Sequence, residues 1–387
     1  MSKILLTLGW SGTGDSLNYL PTFELAHSMY RLGQDVNLLV TDRTELPEPA
    51  RRGDARDWVR TVRHDYRTSF CFSRNMCAYL NEHEFDIYHT HGLGTHLNHM
   101  TCATARRLHR PYLITPYCLL RDYKPAPRSG IARRIYRGVF MRKDFEQASC
   151  LRAINQEEAD GLRCMGIKAP IAVIPWPSRV PSFLDQAIAR GRRWTAENPS
   201  RKRIALIIVD IEGNPVRKVI DAFTAVAEDD SELLLLDFGY VRSTEFAREL
   251  IRERGLRNVK VVDHTDDFDN FSLLASCCAT VIPTHHLYMG TALSHTLLCE
   301  TPAICIHSPE WEDVPAMDCG WWCPNDQQSM ESFISAAMMM DPALIDKKGA
   351  NGRRLIMREY AADVIAGRMI RLYDWLLGKA DKPGYVI

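Results

Sequence analysis

Two successive series of short apolar runs alternate with helix-like segments, and this alternation limits the fold more than any other feature. The strand-like runs are Lys3–Leu8, Asp35–Val40, Asp86–His89, Tyr112–Thr115 and Ile171–Ile174, then Ile204–Val209, Leu233–Leu236, Val259–Val262, Thr280–Ile282 and Ala303–Ile306. The intervening segments with helical periodicity include Tyr19–Leu32, Leu97–Leu108 and Gln156–Met165. Buried strands that alternate with helices predict an α/β protein with parallel sheets covered on both faces.

A break separates the two series. Around residues 175–200 the periodicity is lost, and Pro175, Pro177 and Pro181 precede basic stretches typical of a connection between domains. The 387 residues also exceed what one hydrophobic core usually serves. We predict two Rossmann-like domains facing a cleft, with ligands at the carboxyl ends of the strands. The predicted boundaries are 1–175 for the first domain, 176–200 for the linker, 201–360 for the second domain, and 361–387 for a last helix and tail.

Composition excludes several classes of protein. Hydrophobic residues make up 46% and charged residues 25% of the chain, which is too apolar for a disordered protein. The 48 basic and 48 acidic residues give no net charge, which argues against a nucleic-acid partner. The N-terminus is typical of a first strand, not a signal peptide, and no apolar run is long enough to span a membrane. The scattered cysteines are typical of a cytoplasmic protein, and Cys319 and Cys323 lack the second pair of a zinc site.

Three segments allow two interpretations each. The turn Gly9-Trp-Ser-Gly-Thr-Gly14 follows the first strand, so Gly12 and Gly14 either bring backbone N–H groups to a phosphate or only form a tight turn. The histidines at 89, 91, 96 and 99 suggest a metal, but packing at a strand end is the simpler interpretation. Residues 131–145 form a basic amphipathic stretch that either lies on an anionic membrane surface or covers the core.

Several segments resemble one family in their order and spacing. They are Asp86-Ile-Tyr-His-Thr-His-Gly92, Arg110-Pro-Tyr-Leu-Ile-Thr-Pro-Tyr117, Cys150-Leu-Arg-Ala-Ile-Asn-Gln-Glu-Glu158, Ile171-Ala-Val-Ile-Pro175, Cys299-Glu-Thr-Pro302 and Cys319-Gly-Trp-Trp-Cys-Pro324. Together they resemble the family 4 retaining glycosyltransferases of GT-B fold. This resemblance implies a C-terminal helix that crosses back to the N-terminal domain, a nucleotide-sugar donor of UDP or GDP type, and a glycan, lipid-linked or natural-product acceptor. It implies no cofactor and no metal, and a cytoplasmic protein, peripheral at the inner face of the cell membrane if residues 131–145 bind lipid.

The resemblance also assigns site residues. On the acceptor side it implies His91 and Arg121. Tyr117 stands where the family usually has a histidine that contacts the donor, and His295 stands where its second donor-loop glutamate holds the ribose. We therefore expect Tyr117 and His295 at the catalytic centre. The donor-binding residues that it implies are Gly12, Gly14, Arg217, Lys218, His285, His286, Leu287, Tyr288, Met289, Gly290 and Thr291.

The donor site departs from the family pattern at four positions. Tyr117 carries no positive charge, and Asp210 replaces an arginine that neutralises the diphosphate. Leu287 and His295 occupy the places of the two glutamates in the family's Glu-x7-Glu motif. The sequence thus leaves three hypotheses: an active glycosyltransferase of hexosyltransferase type, a catalytically impaired relative that binds or scaffolds a partner enzyme, or another chemistry in the same cleft.

Overall fold

The computed structural model describes residues 1–9, 16–42, 55–63, 65, 72–117, 140–209, 214–239, 244–284, 289–308 and 311–387. The chain divides into two units, each built on its own parallel sheet. Unit 1 consists of Met1–Arg179 and Ala362–Ile387, and unit 2 consists of Val180–Ala361.

Unit 1 is a doubly wound α/β unit. Its strands are β1 (Lys3–Leu8), β2 (Asp35–Thr41), β3 (Val59–Val62), β4 (Ile87–His91), β5 (Tyr112–Thr115), β6 (Cys150–Ala153) and β7 (Ile171–Val173). They lie in the order β3-β2-β1-β4-β5-β6-β7. Its helices are α1 (Ser16–Arg31), α2 (Ala55–Trp58), α3 (Arg74–Glu82), α4 (His96–Arg107), α5 (Arg142–Glu146) and α6 (Gln156–Cys164).

Unit 2 repeats this arrangement. Its strands are β8 (Lys202–Ile208), β9 (Ser231–Asp237), β10 (Val259–Val262), β11 (Ala279–Ile282), β12 (Ala303–Ile306) and β13 (Gly320–Cys323), in the order β10-β9-β8-β11-β12-β13. Its helices are α7 (Leu184–Glu197), α8 (Asn214–Val226), α9 (Glu245–Arg254), α10 (Asp267–Leu274), α11 (Met289–Leu298), α12 (Asp313–Ala316), α13 (Gln327–Met339) and α14 (Pro342–Leu355). A π-helical turn, Ile356–Tyr360, then leads to α15 (Ala362–Leu376), which belongs to unit 1.

Both faces of each sheet are buried, as the sequence predicts. Leu6 of β1 packs into a cluster with Phe23 of α1 and Met369 of α15, whereas its neighbour Leu5 packs on the other face with Leu97 of α4. Successive side chains of a strand point to opposite faces, so a strand buried on both faces has a continuous apolar sequence. The α/β prediction with two parallel sheets is therefore confirmed.

Strands β3, β6 and β13 were not predicted, because each contains residues that break the apolar pattern. β3 and β13 are edge strands, and β3 has two exposed central residues, Arg60 and Thr61. β13 consists of Gly-Trp-Trp-Cys, with half-buried tryptophans. β6 is a buried inner strand that contains the cation Arg152.

Part of the predicted linker is helical. Helix α7 lies within residues 176–200 and packs into the core of unit 2 through Leu184, Ala187 and Ile188. Gly191 approaches α10 so closely that an added Cβ would lie 2.6 Å from the carbonyl oxygen of Ser272. These positions have the i, i+3, i+4, i+7 spacing of an amphipathic helix, but the intervening arginines obscure it. Among the described residues, no helix is both long and apolar enough to cross a membrane.

Candidate functional site

The carboxyl ends of β4 and β5 bring together the imidazole of His91 and the phenol of Tyr117. Nδ1 of His91 lies 2.5 Å from the hydroxyl of Tyr117, and both side chains are buried. Tyr117 has a φ of 59°, in the left-handed region that a bulky residue rarely adopts. Backbone strain of this kind concentrates at functional sites, so this edge of the sheet is the candidate site.

The same hydroxyl joins the site to the first helix. Oγ1 of Thr22 in α1 lies 2.6 Å from the hydroxyl of Tyr117. Burial raises the pKa of Tyr117 to about 12, although the charge of Arg152 and the bond to Thr22 oppose the shift. The phenol is therefore neutral at physiological pH. Because it has one proton, it donates to either Thr22 or His91 and accepts from the other.

The ring of His89 is next to that of His91 on β4, and both of its nitrogens are hydrogen-bonded. Nδ1 of His89 lies 2.7 Å from the hydroxyl of Tyr373, and Nε2 lies 2.7 Å from Oγ1 of Thr115. Its ring centroid is 4.1 Å from that of His91. Burial is the main cause that lowers the pKa of both histidines well below the usual value, and the positive charge of Arg152 adds to it. Both imidazoles are therefore neutral at pH 7.

The backbone that follows His91 is fixed by a capped helix. Gly92 and Gly94 have φ angles of 78° and 82°, which glycine adopts at little steric cost. Thr95 and Asn98 form a reciprocal capping box at the start of α4. Nδ2 of Asn98 also donates to the carbonyl oxygen of His91 at 3.0 Å. The loop therefore holds His91 at a defined position.

The remaining histidines of the predicted cluster have other partners. Nδ1 of His99 lies 2.9 Å from Oδ2 of Asp144, and the ring of His96 packs against Phe72 with centroids 4.5 Å apart. In the described part of the chain, no three His, Cys, Asp or Glu side chains gather closely enough to hold a metal ion. The four histidines thus separate into the buried pair of His89 and His91 and two residues with separate contacts.

In unit 2, the predicted donor residues that the structure describes lie on two helices. Arg217 and Lys218 are in the first turns of α8; Arg217 is exposed beside the ring of Phe246, and Nζ of Lys218 lies 3.4 Å from Oδ1 of Asn325. Gly290 and Thr291 are half-buried in the first turn of α11.

His295 lies further along α11, between two aromatic rings. Its ring centroid is 5.1 Å from that of Phe238 and 4.9 Å from that of Phe271. Phe238 directly follows β9, so the imidazole lies near the carboxyl end of that strand. This is the edge of a parallel sheet where ligands bind in related folds.

Several predicted residues lie outside the described ranges. They are Gly12, Gly14, Arg121, Asp210, His285, His286, Leu287 and Tyr288, together with the side chain of Met289. The basic segment 131–145 is described only from Phe140 onward. In that part Phe145 is buried in unit 1, Phe140 contacts the ring of His99, and Arg142 and Lys143 are exposed.

Four residues near His89, His91 and Tyr117 were not predicted from the sequence. Thr22 is 95 residues from its partner Tyr117 in the chain, and Tyr373 is 284 residues from its partner His89. No local sequence pattern identifies either residue. Arg152 and Trp176 did carry a signal. Arg152 is a lone cation within an apolar strand, and Trp176 lies between two prolines after β7.

A known protein family matches the region of the chain that contains this site. Residues 22–177 match the glycosyl transferase 4-like domain. The match begins at Thr22 and ends just after Trp176, so it contains the His91–Tyr117 site except for Tyr373 of α15. The search of curated proteins finds no significant match.

Solved structures resemble the chain over nearly its whole length. The sucrose-phosphate synthase of Thermosynechococcus elongatus is 17% identical, with a TM-score of 0.70, and the match covers 98% of this chain and 100% of that one. A glycosyltransferase of Rickettsia africae is 12% identical with a TM-score of 0.72 and the same coverage. The Anabaena protein HepE, solved with UDP and glucose, is 14% identical with a TM-score of 0.66, covering 97% and 100%. The chain therefore has the architecture of the GT-B glycosyltransferases.

Proposed function

We propose that this chain is a glycosyltransferase that moves a sugar from a UDP or GDP donor to a glycan, lipid-linked or natural-product acceptor. The observation that carries the proposal is the buried His91–Tyr117 pair at the carboxyl ends of β4 and β5, within the glycosyl transferase 4-like match. The similarity to HepE, which was solved with UDP and glucose, supports a nucleotide-sugar donor. The proposed class is a family 4-like hexosyltransferase that retains the anomeric configuration.

In this proposal, unit 1 contributes neutral hydrogen-bonding groups. His91 is neutral, and its Nε2 is buried without a hydrogen-bond partner among the described residues. An unsatisfied buried nitrogen is costly, and a substrate hydroxyl would satisfy it. Tyr117 orients the imidazole by holding Nδ1. His91 therefore contacts the sugar or the acceptor, and Tyr117 maintains its geometry.

Unit 2 contributes the groups that bind the nucleotide. We propose that Arg217 and Lys218 neutralise charge on the leaving diphosphate and that backbone N–H groups near Gly290 and Thr291 bind its oxygens. His295 would hydrogen-bond a ribose hydroxyl. No metal is needed in this scheme because protein cations carry out the neutralisation.

A second candidate function is binding without transfer. Tyr117 is neutral, and its hydroxyl already contacts two partners, so it cannot neutralise a diphosphate as a cationic histidine would. The imidazole of His295 is packed between two phenylalanines, where a glutamate is expected in the family. A chain with these features would bind a nucleotide sugar and scaffold a partner enzyme.

The experiment that separates these functions combines calorimetry with product analysis. UDP-, GDP-, ADP- and TDP-sugars are titrated into the full chain, and release of the nucleoside diphosphate is followed with and without glycan and lipid-linked acceptors. Transfer excludes the scaffold, binding without release excludes the enzyme, and no binding of any nucleotide sugar rejects both. The anomeric configuration of the product, measured by proton NMR, tests retention.

A matched pair of variants tests the role of the buried His91–Tyr117 pair. His91→Asn should reduce transfer by about 100-fold or more, because one preorganised polar contact in an active site is typically worth that much. His109→Asn is the control, because His109 is exposed and its φ of 52° is one that asparagine tolerates. Equal loss in both variants would contradict the assignment of His91.

We also propose a cytoplasmic protein that contacts the inner face of the membrane through residues 131–145. Arg133, Arg134 and Arg137 lie in this segment, and each basic residue near an anionic surface adds about 1 kcal/mol to binding. Co-sedimentation with phosphatidylglycerol vesicles should fall when these three arginines are replaced by glutamine. Unchanged sedimentation, or equal binding to neutral vesicles, would reject the contact.

A further inference from the structure

Unit 1 contains a buried cation that the proposed roles do not use. Arg152 of β6 is only 1% exposed. Its Nε donates to the carbonyl oxygen of Ile174 at 3.0 Å, and its Nη2 donates to that of Pro175 at 2.5 Å. These two bonds account for two of the five N–H groups of a guanidinium. An uncompensated buried ion costs several kcal/mol, so the position needs a physical reason.

A carboxylate compensates this charge only from a distance. Among the described residues, no Asp or Glu forms an ion pair with Arg152. Glu158 is the acidic group whose charge acts on it, but Oε2 of Glu158 accepts the backbone N–H of Ile154 at 2.8 Å. Arg203 of unit 2 shows the contrast, because its Nε lies 2.7 Å from Oε2 of Glu232 and it stacks on Trp194. Arg203 is thus paired with a carboxylate, whereas Arg152 has no such pair among the described residues.

Two further polar atoms near Arg152 lack partners. Nε2 of His91 and Nε1 of Trp176 are buried without a hydrogen bond to any described residue. Both rings flank Tyr117, with centroids 5.6 Å from it for His91 and 5.0 Å for Trp176. Nη2 of Arg152 binds the carbonyl oxygen of Pro175, the residue before Trp176, and the charge of Arg152 acts on both His91 and Tyr117. The three groups therefore surround one phenol at the carboxyl ends of β4 to β7.

The chemistry of these groups selects the ligand. A guanidinium and an indole N–H are donors only. A neutral His91 that accepts the Tyr117 proton at Nδ1 carries its own proton on Nε2 and is a third donor. When Tyr117 donates to His91, three donors and one positive charge, with no carboxylate bonded to them among the described residues, complement an anionic oxygen group. A neutral hydroxyl would satisfy one donor but would leave the charge uncompensated.

We propose that Arg152, His91 and Trp176 form a subsite that binds a carboxylate or phosphate group of the acceptor. The assignment to the acceptor rests on the proposed glycosyltransferase function; the anion binding itself rests on the three side chains. Enclosure in a buried site strengthens such an ion pair relative to one at the surface. The acceptor is then an acidic or phosphorylated sugar, not a neutral one.

Calorimetry on the full chain tests the proposal with defined probes: glucose 6-phosphate, glucuronate, glucose and UDP. We expect at least one of the two anionic sugars to bind and glucose to bind at least about 30-fold more weakly. Arg152→Met should weaken the anionic sugar by about 30-fold or more, the loss typical of removing one partner of a buried charge pair. Trp176→Phe, which keeps a ring and removes the N–H, should weaken it by about fivefold.

Two matched variants control for a loss of affinity that results from misfolding. Arg152→Lys keeps the charge but loses the planar guanidinium fork. Its affinity for the anionic sugar should lie between those of wild type and Arg152→Met. Arg203→Lys makes the same change at the paired arginine and should leave anionic-sugar affinity unchanged. Equal affinity for glucose and both anionic sugars, or equal loss in the Arg152→Lys and Arg203→Lys variants, would overturn the subsite.

The titration with UDP tests whether the subsite binds the donor diphosphate instead of an anionic group of the acceptor. If Arg152→Met weakened UDP and neither anionic sugar bound wild type, the site would belong to the donor, and the acceptor assignment would be overturned. If UDP and the anionic sugars bound but no nucleotide sugar were turned over, the glycosyltransferase proposal would fail while the anion subsite stood. Retained UDP binding in Arg152→Met with lost sugar binding supports the acceptor subsite.

Discussion

Nδ1 of His91 and the hydroxyl of Tyr117 lie 2.5 Å apart, between the ends of two neighbouring strands. Strand register produces this contact, because His91 is paired with Thr115 of β5 and Tyr117 follows two residues later. The left-handed backbone of Tyr117 ends the extended run at that point. The site thus depends on a register and a turn, and both can be tested by substitution.

Tyr117→Phe should lower the free energy of unfolding by about 1–3 kcal/mol, because it leaves the buried polar atoms of His91 and Thr22 without their shared partner. Urea denaturation measures the loss. Tyr79→Phe is the control, since the hydroxyl of Tyr79 has no hydrogen bond to a described residue while its ring stacks on His83. A loss no larger than in the control would mean that the network is not stabilising.

Gly349→Ala in α14 should destabilise unit 2 strongly. An added Cβ would lie 1.9 Å from the carbonyl oxygen of Glu300, and backbone atoms cannot move aside cheaply. Gly161→Ala in α6 is the matched control, because that Cβ would meet no atom within 4 Å. There the change should raise stability by about 0.5–1 kcal/mol, as alanine does in an open helix interior. Thermal unfolding of the two variants should therefore shift in opposite directions.

Gly9→Ala should disturb the start of the loop after β1. Its Cβ would lie 2.1 Å from Oγ1 of Thr95, the residue that caps α4. Thr95→Ala alone should cost about 1 kcal/mol through loss of the cap. The double variant should lose less stability than the sum of the two single variants, because Thr95→Ala removes Oγ1, the atom of closest approach, and leaves only the Cβ at 2.9 Å. Strict additivity in denaturant unfolding would show that Gly9 and Thr95 do not compete for space.

Glu24 of α1 should make stability fall as pH rises. Burial raises its pKa from the ordinary 4.5 to about 7, although Arg179 and Arg31 oppose the shift. The folded chain therefore holds this proton more tightly than the unfolded chain, so the penalty for ionisation is absent below pH 4.5 and complete above about 7. Glu24→Gln should remove that penalty and stabilise the protein most at pH 7 and above.

The measurement for Glu24 is the difference in unfolding free energy between wild type and Glu24→Gln from pH 4.5 to 8. A difference curve is needed because His89 and His91 act in the opposite direction. Their pKa values are lowered in the folded chain, so they cost stability as pH falls below their ordinary value of 6.5. Glu82→Gln, at an exposed carboxylate in α3, is the control. A flat difference curve would show that Glu24 is not perturbed.

The sequence predicted the strands that carry apolar runs and failed where packing overrode the pattern. β5 was predicted because its Tyr-Leu-Ile run is apolar enough to be buried on both faces, whereas β4 was recognised only from the start of Ile-Tyr-His-Thr-His. β6 was missed because Arg152 interrupts it, yet its neighbours β5 and β7 bury it inside the sheet. Helix α7 was missed because arginines on its exposed face interrupt the pattern and a glycine occupies one of its buried positions, although the buried residues have helical spacing.

The candidate site shows the same division. His91 and Tyr117 were selected from the sequence because a family resemblance points to the ends of their strands. Thr22 and Tyr373 were not selected, because a side-chain contact between residues far apart in the chain leaves no local pattern. Arg152 and Trp176 did carry a local signal, but only the structure shows that Arg152 is buried.

By itself, the sequence determined the α/β class, the two-sheet organisation and the order of most elements. Burial on both faces favours apolar residues along most of the strands, and that composition is readable residue by residue. Only the tertiary structure decided that Tyr117 bonds His91 and Thr22, that a helix from the end of the chain anchors His89, and that Arg152 is a buried cation with no ion pair to any described residue. These properties depend on distances between residues far apart in the chain, which no local pattern encodes.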